Sequence, residues 1–495
     1  MASGTPRLAR PVGLLESYST SRHNLGFYCC VALTARYSVP LLGCKDVENT
    51  IEHAVAQTIL AHPVLQAGIE GEDTAKPYFV YLPTLDLSRH IRWERLEVDS
   101  PSDRDAAFER LLEARHSSLW PDLRQCPGYE FVILPHPGDP WDNSISTLDV
   151  VFAFHHAYGD GNSGVILQQT FLQALDNPVP VPSYNPSTRI LTIDTPATIP
   201  PPQDALINFK ISLSFLTKTL WGEFGPSFLK PAFAQPAWAG KPITTYPKGT
   251  RLRLISFPAS TASGIVAQCR AKSTTLTPLI HILILHSLAK WLSESELQDR
   301  TLASTTPISL RRLLGRGGKQ GFDPGTSMGV LLASQEHRFS SSTISQIRSS
   351  LDEDLLWDLT SSLGAELRRK VASLPNDDVT ALMAWVSDWN ARWRGMLGKE
   401  RQHTWEVSNV GAAEFGGGGR EKSGWRVERL VFSQSGSVAG SAFAASVAGV
   451  RGGELAVALS WQDTIVEEEL VAGVAGDLRE WLTCFARTGR LGWKA

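Results

Sequence analysis

Apolar residues recur at helical spacing over 45–62, where Val47, Ile51, Val55, Ile59 and Leu60 share a face opposite charged positions, and Pro63 ends the run. The next stretch predicts a short strand, a Gly-containing turn and a second strand, followed by a helix over 103–116. Residues 148–154 (LDVVFAF) are almost wholly apolar and β-rich, which predicts a strand buried on both faces. A polar Gly-rich loop follows, and VILQQTFLQALDN then returns to helical spacing. Residues 176–203 are Pro-rich without a sustained apolar period and predict an extended linker.

Beyond the linker, residues 204–222 predict an apolar, weakly basic helix, expected to pack on the core, with contact to a membrane or a lipophilic acceptor as the alternative. Residues 276–292 predict a buried helix with Thr277 as N-cap and Pro278 at its first position. A helix around 377–397 is expected to carry Trp385 and Trp389 on one face. Strands are expected at 250–257, 301–310, 404–409, 428–434, 438–447 and 454–461, and a final helix at 467–486.

Length changes this picture by requiring more than one core: 495 residues at ~100–200 per domain suggest two or three. A net charge of −3 offers no basic excess for a nucleic acid or an anionic membrane. The six cysteines form neither a CxxC pair nor a zinc-like Cys/His spacing, so no metal is assigned and free thiols in a reducing compartment are expected. The N-terminus lacks a continuous apolar signal segment, and no stretch reaches the ~20 apolar residues of a membrane span. The expectation is a cytoplasmic monomer. Peripheral contact with the endoplasmic reticulum or lipid droplets is left open.

The densest chemistry lies at His155-His156-Ala157-Tyr158-Gly159-Asp160-Gly161. Two histidines ending a buried strand stand at a sheet edge where a cleft can form, and neutral imidazole can accept a proton from an alcohol. Asp160 can fold back onto the loop backbone or an arginine. Gly159 and Gly161 permit the positive φ that a tight loop of this kind often needs. The bland alternative is a polar loop with a satisfied histidine.

The chain resembles the fungal alcohol O-acetyltransferase family, within the superfamily of chloramphenicol acetyltransferase, plant acyl-CoA acyltransferases and peptide-synthetase condensation domains. The resemblance is carried by Arg10 to Arg22 (RPVGLLESYSTSR), by His-His-x-x-x-Asp-Gly at 155–161, by Val407-Ser408-Asn409-Val410-Gly411, and by Pro307 to Arg311 (PISLR). It implies an α+β fold of two similar two-layer α/β sandwiches with an active-site channel between them. The corresponding division is 1–175, a linker at 176–203, and 204–495.

The resemblance further implies acyl transfer, most simply from acetyl-CoA as cosubstrate to a small-molecule alcohol or specialised metabolite, with no bound cofactor. His156 and Asp160 are the candidate catalytic residues, with His156 as general base and Asp160 expected to be structural, paired with Arg311 or, second, Arg22. His155 and Gly161 would support the loop. Ser408 and Asn409 are candidate oxyanion donors. No acyl-CoA-binding residue is assigned. The Gly416 to Gly419 run lacks the Lys-Ser/Thr of a phosphate loop, and Gly161 to Gly164 lacks nucleophile-elbow spacing. A carrier-protein thioester donor, an amine acceptor and a non-catalytic binding protein on the same scaffold remain as alternatives.

Overall fold

The computed structural model describes residues 7–40, 46–97, 103–137, 145–224, 235–245, 249–350, 352–415 and 424–493. The Gly416 to Gly419 run lies outside the described residues. Two large mixed sheets dominate. The first has five strands in the order Arg426–Gln434, Val31–Ser38, Ile145–Phe154, Tyr129–Pro137, Ile91–Trp93, antiparallel except for the last pair. The second has six, in the order Thr250–Phe257, Leu455–Gln462, Phe443–Val450, Trp405–Ala413, Leu302–Ser309, Leu332–Phe339. This is the expected mixed α/β architecture.

Strand periodicity explains why, within Ile145–Phe154, residues 148–154 are apolar save for Asp149. Leu148, Val150, Phe152 and Phe154 join a core with the helices Val47–Ala61 and Gly161–Asp176. Val151 and Ala153 face the other way, into a cluster with Leu252, Leu254, Ala456 and Ala458 of the second sheet. The strand is therefore the wall between the N-terminal core and the seam of the two sheets. A third apolar cluster packs the helices Ala259–Ala271, Leu276–Trp291 and Glu468–Thr488 on the second sheet.

Arg426–Gln434, from the segment 204–495, joins the first sheet by pairing antiparallel with Val31–Ser38. Several expectations need correction. The Pro-rich linker contains two short strands, Tyr184–Asn185 and Ile190–Thr192, the latter also paired with Thr84–Asp86. Burial of Tyr184 and Leu191 anchors that segment to the N-terminal core. Residues 204–222 are not one packed helix. A turn at Gln203–Leu206 precedes Leu213–Phe224, where Leu213 is 76% and Trp221 51% exposed.

The expected helix at 377–397 is broken into Val379–Trp385 and Trp389–Arg394, because Asp388 leaves the helical path and caps the second piece. Trp385 faces solvent, while Trp389 packs on Tyr18 and Trp393. The N-cap position of the buried helix at Leu276 is Thr275, not Thr277, and its side chain makes no capping bond. Pro278 still falls in the first turn, where its missing N–H is no loss.

Candidate active site

The motif strand delivers His155 and His156 at its C-terminal end, and His155 N–H closes onto the Gly128 carbonyl at 2.7 Å. Asp160 then caps the helix Gly161–Asp176. Its Oδ1 accepts from Ser163 N–H at 2.9 Å, and Ser163 Oγ accepts from Asp160 N–H at 3.2 Å. Arg311, just after the strand Leu302–Ser309, donates Nη1 to Asp160 Oδ2 and Nη2 to Ser163 Oγ and the Gly329 carbonyl. Leu331 N–H adds a further bond to Asp160 Oδ2 at 3.1 Å. Asp160 is wholly buried, so it ties the motif helix to the second half of the chain and has no open face for a substrate. The pairing uses Arg311. Arg22 lies elsewhere.

The motif glycines need space, and neither Gly159 nor Gly161 has a positive φ. A Cβ on Gly159 would stand 2.5 Å from Ser163 Cβ, and one on Gly161 2.7 Å from Val410 Cγ1. The expected left-handed backbone is thus replaced by close approach of the loop to its own helix and to the strand Trp405–Ala413.

His156 is half-buried. Its Nδ1 is sealed from solvent and has no hydrogen-bond partner among the described residues, while Nε2 is not sealed. Burial, followed by the charge of Arg22, lowers its pKa to about 4, against smaller opposing effects of its own main-chain carbonyl and of Asp160. The ring is therefore neutral at pH 7. It lies 5.8 Å from the Tyr28 ring, between centroids. Tyr28 O–H donates to Gln434 Oε1 at 3.1 Å, and Gln434 Nε2 reaches Glu406 Oε1 and Ser446 Oγ, each at 3.2 Å. The Arg22 guanidinium packs between Tyr18 and Tyr28, with Cζ 4.2 and 4.6 Å from the two ring centroids.

Alternation along Trp405–Ala413 sorts the remaining candidates. Trp405 and Val407 are fully buried in the core of the second sheet. Glu406 and Ser408 project from the opposite face and are half-buried. Asn409 returns to the core side, where its Nδ2 donates to Thr277 Oγ1 at 3.0 Å and its Oδ1 accepts from Gly411 N–H at 2.8 Å. Nδ2 thus ties the strand to the helix at Thr277, Oδ1 braces the strand's own bend at Gly411, and Ser408 and Asn409 both stay candidate donors.

His155 is fully buried in a cluster that sequence reasoning missed. Glu72 Oε1 accepts from His155 Nε2 at 3.0 Å, and Glu72 Oε2 from His23 Nδ1 at 3.1 Å. The other ring nitrogens accept main-chain N–H bonds, His155 Nδ1 from Ala157 and His23 Nε2 from Trp120, both at 3.0 Å. Two histidines and a carboxylate within 4.8 Å are a ligand set in kind. A metal-bound imidazole, however, keeps a proton on its outer nitrogen and donates it. Here both outer nitrogens are acceptors, so the histidines donate inward to the Glu72 carboxylate and the cluster does not suit a cation.

Glu406, Gln434 and Glu72 carried no motif. The Trp-Glu-Val-Ser alternation was the available sign that Glu406 and Ser408 share a face.

The model of the family described as alcohol acetyltransferase matches residues 105–474. The chain belongs to the alcohol acetyltransferase family. It is 30% identical over 500 aligned residues to the probable alcohol acetyltransferase FCK4 of Fusarium pseudograminearum, covering 99% of this chain and 98% of the relative. It is 26% identical to the probable alcohol acetyltransferase crmB of Aspergillus fumigatus, over 92% and 95% of the two chains. Among solved structures, the fold is similar to the TRI3 trichothecene 15-O-acetyltransferase of Fusarium sporotrichioides, with a TM-score of 0.68 at 15% identity over 98% of this chain and 100% of that one. It is also similar to the first condensation domain of the CDA synthetase, with a TM-score of 0.59 at 12% identity over 99% of each. As a member of this family the protein is an acyltransferase. No helix of the described residues is long and apolar enough to cross a membrane.

Proposed function

We propose that this acyltransferase moves an acetyl group from acetyl-CoA to a hydroxyl of a small alcohol or specialised metabolite, with His156 as the base. The observation that carries the proposal is the placement of His156: half-buried at the end of the motif strand, with Nδ1 enclosed and unpartnered among the described residues, and with burial lowering its pKa so that the ring is neutral. Nε2 takes the hydroxyl proton as the alcohol oxygen bonds to the thioester carbon. The tetrahedral oxyanion accepts a hydrogen bond from Ser408 or Asn409. The C–S bond then breaks, and the imidazolium returns its proton to the leaving CoA sulfur. No covalent enzyme intermediate is needed.

The division of labour follows the two halves of the chain. Residues 1–175 supply the base, and the segment from 204 supplies Ser408 and the Arg311 clamp. General-base catalysis of this kind contributes about 10²–10⁴-fold.

The test is release of free CoA thiol from acetyl-CoA with a panel of alcohols and amines, comparing wild type with His156→Ala. We expect release that depends on an alcohol and falls at least about 100-fold in the folded variant. Silence of the wild type towards every acceptor, or full activity of the variant, would overturn the proposal.

A further inference from the structure

The helix Leu14–Asn24 ends in a turn that brings the chain back beneath its last residues. Gly26, at φ +69°, permits the reversal, and the Arg22 carbonyl accepts from Phe27 N–H at 2.7 Å and from Tyr28 N–H at 3.3 Å. The Tyr28 ring is thereby laid against the Arg22 guanidinium. The other ring, Tyr18, comes from one turn earlier on the helix and is itself held edge-on by Trp389 and Trp393, at 5.1 and 5.0 Å between centroids.

Arg22 is only 8% exposed, yet its guanidinium meets ring faces and no anion. Nε is sealed from solvent with no partner, while Nη1 and Nη2 are not sealed. Among the described residues no carboxylate lies within ion-pair reach of it, and Glu406 is engaged with Gln434 Nε2 instead. A guanidinium is a permanent cation in proteins, and enclosing one without a counter-charge is costly. Aromatic faces offset only part of that cost. An anion arriving with a ligand completes such a site.

Tyr28 is the shared neighbour of this cation and of His156: its ring centroid lies 4.6 Å from Arg22 Cζ and 5.8 Å from that of the His156 ring. The charge is felt at His156. Acetyl-CoA brings no anion to that place, because its acetyl group is neutral and a long uncharged arm separates its thioester from its phosphates. The acceptor is the substrate that can.

We propose that Arg22 binds a carboxylate of the acceptor, so that the alcohol acetylated is a hydroxy acid. This rests on His156 being the base and on acetyl-CoA being the donor. The unsealed Nη groups offer a planar fork that matches the two carboxylate oxygens, and Tyr18 and Tyr28 hold the fork in place. The hydroxyl of the same molecule reaches His156 Nε2. The ester forms at that hydroxyl, CoA leaves as the thiol, and the carboxylate keeps its charge throughout.

The test is thiol release at pH 8 with saturating acetyl-CoA. The acceptors are straight-chain hydroxy acids from hydroxypropionate to hydroxyhexanoate, with the hydroxyl at the far end, each set against its own primary amide. In wild type we expect at least one acid to exceed its amide in kcat/KM by about tenfold or more, carried by KM. In Arg22→Gln the ratio should fall to within about twofold of one, and Arg22→Lys should keep only part of it. Acid and amide share the same base, so the ratio cancels any effect of the substitution on His156. A wild type that favours no acid overturns the proposal, and so does a preference that survives in Arg22→Gln. A loss of kcat equal for acid and amide, with the preference intact, would assign the guanidinium to the oxyanion instead. Should Arg22→Gln fail to fold, Arg22→Lys decides, because a preference as large as that of wild type refutes the fork.

Should no alcohol release thiol, calorimetric titration of wild type and Arg22→Gln with hydroxyhexanoate and its amide separates the two readings. Binding of the acid alone, lost in Arg22→Gln, upholds the anion subsite while the assignment of donor and base fails. Equal binding of acid and amide by wild type overturns the subsite as well.

Discussion

Arg311 Nη1 lies 2.5 Å from Asp160 Oδ2, across 151 residues of sequence, and joins the loop that carries the base to the end of a strand in the other sheet. Asp160 is fully buried and Arg311 nearly so. Removing one partner strands a charge away from water, which costs about 3–5 kcal/mol. Arg311→Met should therefore lower unfolding free energy by that amount in urea melts. Because guanidinium geometry serves three acceptors at once, Arg311→Lys should recover only part of the loss. A melt unchanged in Arg311→Met would show that the pair does not hold the halves together.

Gly161 gives a prediction of a different kind. A methyl group there would meet Val410 Cγ1 at 2.7 Å and the Phe432 ring at 3.1 Å. Val410 lies two residues beyond Ser408, so relief by displacement of the strand would move the proposed oxyanion donor. Gly161→Ala should destabilise by about 1–3 kcal/mol. It should also lower kcat more than it weakens acetyl-CoA binding, measured by turnover and by titration with CoA. Equal losses in both would place the effect on binding instead.

The strand LDVVFAF, the loop after it and the Asp160–Arg311 pairing were legible because each has a local pattern or a motif behind it. The crossover of Arg426–Gln434 was not, since its alternation fits an edge strand of either sheet. Glu72 was hidden for a similar reason. A Gly-Glu-Asp turn reads as solvated, and only the arrival of His23 and His155 from distant positions makes it an enclosed acceptor. The helix expected at 377–397 failed because Asp378 and Asp388 each start a new short turn by capping it. Gly159 and Gly161 were rightly singled out, but for the wrong property: their neighbours, not their φ, exclude a side chain.

Arg22 offers a test through pH. After burial, its charge is the next cause holding the His156 pKa at about 4. The proposed base works only when neutral, so kcat/KM should hold steady above that value and fall as pH drops through it. In Arg22→Gln the nearby positive charge is gone and the His156 pKa rises. The acid limb of the profile should then shift to higher pH, whereas Arg22→Lys should keep it close to wild type. Profiles that superimpose would show that the guanidinium between Tyr18 and Tyr28 has no electrostatic hold on the base.

The same logic, applied to stability, singles out Asp149 on the motif strand. Its Oδ1 accepts from Arg36 Nε, and its Oδ2 from Arg36 Nη2 and His136 Nε2, at 2.8, 3.1 and 2.8 Å. Burial would raise its pKa, but these partners outweigh burial and lower it from 3.8 to about 2. A carboxylate with a depressed folded pKa stabilises fully above its unfolded value, and that contribution disappears as pH falls from about 4 to about 2. A shift of this size corresponds to about 2–3 kcal/mol. Asp149→Asn should be less stable than wild type near neutrality and should lose less further stability on acidification. Glu72, also held at about 2, titrates over the same range, so the pH slope should shrink and not vanish. Urea melts between pH 2.5 and 6 measure both slopes, and identical slopes would mean that Asp149 is not held by Arg36 and His136 in solution.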